Sequence, residues 1–125
     1  MNSVQLVGRL TADPEAEQYE KDDKFTSLAR MRVAVPRPRQ RDAADYVTVI
    51  AFGALGASCV DFLAKGRRVG ITGRLRHSEW TSADGSKRSR LEVVADSVEF
   101  LDAPRKGGDE GDYETAAADA NGEPF

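Results

Sequence analysis

Little in this sequence can do covalent chemistry. It holds one cysteine, one histidine and one tryptophan in 125 residues. A lone Cys59 cannot close an internal disulfide, which suits a reducing compartment, and it reads as a small buried helix residue. No Cys/His set has metal-ligand spacing, His77 has no nucleophile motif beside it, and Gly53-Ala54-Leu55-Gly56 lacks the Gly-Lys-Ser/Thr of a phosphate loop. The acidic side chains define no acid/base couple. Neither an enzyme nor a cofactor or metal site is expected. No run approaches the ~20 consecutive apolar residues that cross a bilayer. The opening Met1-Asn2-Ser3-Val4 has neither the basic nor the apolar part of a secretory signal, so the cytoplasm is the expected location.

Bases are also missing, but only from one end. Residues 107–125 hold six acids and no base, whereas 1–106 carry 18 bases against 15 acids, so the net charge of -3 hides a mildly basic domain. Between Arg30 and Arg90 there are 13 bases and five acids. Charge gathered in this way is the footprint of a polyanion-binding surface.

Alternation of apolar residues predicts five strands. Val4, Leu6, Gly8 and Leu10 share a face of the first, which Thr11–Pro14 ends. Phe25–Val35 sets Ala29, Met31, Val33 and Val35 against a face bearing Arg30 and Arg32. After a Pro36–Ala44 loop, Asp45–Gly53 is β-branched and aromatic. Leu55, Cys59, Phe62 and Leu63 at helical spacing predict a helix over Ala54–Lys65, with Gly66 as its C-cap. Arg67–Trp80 sets Val69, Ile71, Gly73 and Leu75 against Arg68, Thr72, Arg74 and Arg76, and an Asp84-Gly85 hairpin signal leads to a last strand over Arg90–Leu101. Three strands, a helix and two strands is the element order of the all-β, five-stranded oligonucleotide-binding (OB) Greek-key barrel. A three-on-two sandwich or an SH3-like barrel has nearly the same order. The expected domain is 1–102, followed by an acidic 103–125 tail too poor in apolar residues to order itself.

Binding a single nucleic-acid strand without reading its sequence needs cations for phosphates and flat rings for bases. Arg30, Arg32, Arg37, Arg39, Arg41, Arg74, Arg76, Lys87, Arg88 and Arg90 supply the charge. Tyr46, Phe52 and Trp80 supply rings; residues 46, 48, 50 and 52 point one way, away from inward Val47, Val49 and Ala51. Taken singly, Phe52 is more often core than site, and any one arginine is an ordinary solvated side chain. The cluster argues otherwise, since facing arginines without interleaved acids repel one another until a polyanion neutralises them.

The segments Asn2–Leu10 with Asp13-Pro14-Glu15, Ile50-Ala51-Phe52-Gly53, Gly73-Arg74-Leu75-Arg76, Trp80-Thr81 and the final Pro124-Phe125 together resemble the bacterial single-stranded DNA-binding protein family. The resemblance covers 1–102 and the last few residues. It implies a homotetramer of OB barrels near the nucleoid, with single-stranded DNA wrapped outside and protected during replication, recombination and repair. It implies stacking at Tyr46, Phe52 and Trp80 and docking of replication and repair proteins on a tail closing in Glu123, Pro124 and Phe125; phosphate contacts from Arg30, Arg32, Arg37, Arg39, Arg41, Arg74, Arg76, Lys87 and Arg88 are expected from their charge. Three features depart from the family. The Pro36–Ala44 loop is short and has no ring, Ser78 and Glu79 stand where bases usually precede Trp80, and few acids directly precede Pro124. With the short spacer from Ala103 to Ala120, they suggest a compact second paralogue. Two rival readings share the fold: a barrel that binds RNA or tRNA, and one that docks a protein partner and barely touches nucleic acid.

Overall fold

The computed structural model describes residues 1–102 together with Ala118 and Asp119. Its elements are β1 (Val4–Leu10), β2 (Glu15–Lys21), β3 (Lys24–Pro36), β4 (Ala44–Phe52), α1 (Gly53–Phe62), β5 (Arg68–Thr81), β6 (Lys87–Phe100) and β7 (Ala118–Asp119). All five expected strands and the helix are present, within three residues of their expected starts and ends.

The strands close into a barrel because β1 is shared between two neighbours. It runs antiparallel to β5 from Val4 to Arg9 and meets β3 at Arg9 and Leu10, while β4 and β6 pair in parallel at Val49–Val93 and Ile50–Val94. Gly8 permits the closure: a Cβ there would lie 2.3 Å from the Ala34 carbonyl oxygen. The interior is filled by the inward-facing alternate residues, including Leu10, Ala29, Met31, Val33, Val49, Ala51, Val69 and Ile71. Leu55 and Cys59 of α1 join that core, so the helix packs against the barrel wall rather than standing apart. This arrangement is the OB fold.

Three local expectations need correction. A sixth strand, β2, pairs with β3 over its whole length, in a hairpin turning at Asp22 and Asp23 with φ of 53° and 63°. Positive φ at both central residues is the two-residue hairpin turn that short Asx side chains tolerate. The helix ends earlier, at Phe62, with Leu63 as its C-cap donating to the Cys59 carbonyl. Gly66 instead turns the following loop at φ 90° and donates its N–H to Leu10 O at 2.8 Å. Finally, Ile50 shares the outer parity of β4 yet is fully buried and lies outside the interior core; with Val94 it makes an apolar floor on the outer surface. Within the stretch expected to be unstructured, β7 pairs with Ser97 and Val98 of β6; the rest of that expectation lies outside the described residues.

Candidate nucleic-acid interface

One outer surface runs across β3, β4, β6 and β5, and it is built by register. Arg32 lies opposite Thr48, Arg30 opposite Ile50, Ile50 beside Val94, Val94 opposite Arg74 and Glu92 opposite Arg76. The β5–β6 hairpin then carries the surface outward, with Trp80 opposite Arg88 near its tip. That tip is shaped by Ser82–Ser86, where the Ser82 hydroxyl donates to the Asp84 carboxylate and the Ser86 N–H donates to the same group at 2.9 Å. The hydrogen bonds from Ser82 and Ser86 pull the Asp84 carboxyl down to about 2. Because the hairpin leaves the barrel, the inward-parity residues Leu75 and Leu91 are exposed.

The structure brings the three expected rings onto this surface. Tyr46 is 58 % and Trp80 42 % exposed, and Phe52 is half-buried at the junction where β4 becomes α1. Each ring lies beneath a guanidinium: Arg32 is 5.1 Å from the Tyr46 centroid, Arg76 5.6 Å from Phe52 and Arg90 5.0 Å from Trp80. Such cation–π contacts contribute about 0.5–1 kcal/mol each at exposed sites.

The expectation that these arginines face one another without acids is overturned. Glu92, only 2 % exposed, accepts from Arg30 at 3.1 Å and Arg76 at 3.1 Å and lies 3.2 Å from an Arg90 nitrogen. Arg30 also donates to Glu17 at 2.7 Å, Arg74 to Asp96 at 2.9 Å and Arg37 to Asp45 at 3.0 Å. Burial alone would raise the Glu92 carboxyl. The Arg76 hydrogen bond and the charges of Arg90 and Arg76, with the Arg30 hydrogen bond, outweigh burial and hold it below its ordinary value. The group is therefore a carboxylate at neutral pH, and it offsets one of the three positive charges of Arg30, Arg76 and Arg90.

Not every expected cation joins this surface. Arg37, Arg39 and Arg41 curl with their loop over the β1 side of the barrel, where with Arg9 and Arg68 they line a cleft of about 690 Å³. Lys87 and Arg88 flank Trp80 at the hairpin tip and, like Arg39 and Arg41, make no salt bridge among the described residues. Glu123, Pro124 and Phe125 lie outside the described residues. Sequence reasoning missed Glu92 altogether, and it missed Arg9 and Arg68 as neighbours of the loop arginines. The only available hint of Glu92 was an acid set within the apolar run Leu91–Ala95.

An OB barrel whose outer strands carry exposed rings among guanidiniums defines a protein of the oligonucleotide-binding class. Residues 1–101 match the model of the single-strand binding protein family. Similar proteins are the single-stranded DNA-binding protein of Clostridium perfringens, 37% identical over 107 residues (86% of this chain, 70% of the relative), and that of Fusobacterium nucleatum, 36% identical over 114 residues (86% and 71%). The single-stranded DNA-binding protein of Thermotoga maritima is 35% identical over 104 residues, 81% of this chain and 74% of the relative. The chain belongs to the single-strand binding protein family.

Proposed function

We propose that this protein binds single-stranded DNA without sequence preference and protects it during replication, recombination and repair. The observation that carries the reading is the alignment of Tyr46, Phe52 and Trp80 with guanidiniums on one face of an OB barrel. Bases stack on the rings whatever their identity, and phosphates follow Arg30, Arg32, Arg74 and Arg76, with Lys87 and Arg88 at the hairpin tip. Family membership and the names of its relatives support DNA over RNA as the strand. Loop residues Arg37, Arg39 and Arg41 serve as phosphate contacts where the strand leaves the ring-bearing face. None of these roles is catalytic.

The protein acts as a homo-oligomer, a tetramer by family resemblance. An open strand edge supports assembly: among the described residues β3 meets β1 only at Arg9 and Leu10, so Val4–Gly8 has an unpaired edge, with Val7 exposed. Glu123, Pro124 and Phe125 dock replication and repair proteins, a role supported by the sequence motif.

A competition assay tests the reading. Labelled poly-dT should be displaced by unlabelled single-stranded DNA of unrelated sequence, and far less by duplex DNA or matched RNA. Equal or better displacement by RNA would replace it with the RNA-binding reading, and no binding of any strand would leave a protein-docking barrel.

A further inference from the structure

Stacking bases on rings does not require a guanidinium over each ring beforehand, yet here all three have one, although Tyr46 and Trp80 stay partly exposed. Two of the covering guanidiniums, Arg76 and Arg90, converge with Arg30 on Glu92. Glu92 has the outer parity of β6 but is buried beneath these guanidiniums, beside the floor of Ile50 and Val94 and opposite Arg76. A carboxylate there repels phosphate, and burying it is unfavourable unless its partners compensate. A surface selected only to attract a polyanion gains nothing from it. The carboxylate does bring together the heads of three long side chains of like charge.

Arg90 shows how the fixed pose is balanced. Its Nη2 lies 3.2 Å from a Glu92 oxygen and its guanidinium covers Trp80, but its Nε is buried and has no hydrogen-bond acceptor among the described residues. An unmet buried donor is unfavourable, so the pose is one that Arg90 leaves readily once another acceptor is offered.

We propose that Glu92 is a positioning residue that parks Arg76 and Arg90 on Phe52 and Trp80 and masks one positive charge of the cluster, so that an arriving base displaces a guanidinium which then serves a phosphate. The second half rests on the stacking reading of the rings. The parking itself is a property of the free protein.

Trp80 is the only tryptophan, so its quenching by neutral acrylamide reports the parked state without DNA. Glu92→Gln and Arg90→Gln should each raise the quenching constant, and the double variant should raise it no further than the larger single effect. Additive effects, or a Glu92→Gln protein quenched like the wild type, would overturn the parking. With poly-dT, Glu92→Gln should steepen the slope of log affinity against log salt by about 0.7, the value for one more cation on a single strand. An unchanged slope would overturn the masking. Glu92→Asp keeps the charge and shortens the reach. It should therefore raise quenching while keeping the wild-type slope, and it decides the parking if the glutamine variant fails to fold. Should the wild-type protein itself ignore poly-dT, the stacking reading falls, and quenching still decides whether Glu92 parks the arginines.

Discussion

Arg90 covers Trp80 at 5.0 Å although the two are not direct cross-strand partners: Trp80 lies opposite Arg88, and Arg90 lies opposite Ser78. The contact is diagonal across the β5–β6 hairpin, within the reach of a long side chain and an indole. It links the ring at the hairpin tip to Glu92 and, through Glu92, to Arg30 and Arg76 in the body of the barrel. The hairpin and the barrel wall are thus one electrostatic unit.

On the proposed stacking, removing a ring removes a platform for a base. Phe52→Ala and Tyr46→Ala should each weaken poly-dT binding by about 1–3 kcal/mol, or roughly 5- to 150-fold, for one stacked base. Isothermal titration at fixed salt measures this. Loss confined to the salt slope, with affinity at low salt unchanged, would mean that the rings are scaffolding.

The Glu92 network makes stability depend on pH with a definite sign. The Glu92 carboxyl lies below its ordinary value in the folded protein. An unfolded glutamate titrates near ~4.3, so the stabilisation is complete above that value and is lost as pH falls through the depressed folded value. Urea midpoints measured from pH 7 to pH 2 should therefore fall more for the wild type than for Glu92→Gln. Parallel curves would mean that the carboxylate gains nothing from its three partners.

Much of this architecture was legible from alternation alone. Residues such as Ala29, Met31, Val33 and Val69, Ile71 sit in the core as their parity requires. The strand β2 was not legible because Glu15, Glu17, Gln18 and Glu20 give it no apolar face; it is an edge strand whose main signal is the Asp22-Asp23 turn. Leu75 and Leu91 obey parity, but the hairpin has outrun the barrel that would have buried them. Strand parity puts Tyr46 and Phe52 on one side of β4, although Phe52 taken singly reads as core, and polar neighbours at a strand end single out Trp80. Glu92 could not be placed in this way, because its partners come from β3, β5 and β6 and meet only after the sheet has closed.

Barrel closure depends on the absence of a side chain at residue 8. Gly8→Ala would drive a methyl group toward the Ala34 carbonyl at 2.3 Å, a backbone atom that cannot swing away. Overpacking of this kind destabilises by about 1–3 kcal/mol, read as a lower urea midpoint with an unchanged m-value. A variant as stable as the wild type would show that β1 and β3 tolerate separation.

Burial pushes the Cys59 thiol up to about 12. The nucleophilic thiolate is therefore scarce at pH 8, and the sulfur is fully enclosed in the core. An aromatic disulfide reagent at pH 8 should leave the native thiol untouched and titrate one thiol per chain after denaturation. Rapid native labelling would show that α1 opens from the barrel.

The most direct test of single-strand binding by stacking is Trp80 fluorescence during titration with unlabelled poly-dT at several salt concentrations. A base replacing Arg90 on the indole predicts strong quenching at low salt that added salt reverses, with log affinity falling linearly against log salt. Tight binding with no change in Trp80 emission, or binding indifferent to salt, would contradict the account.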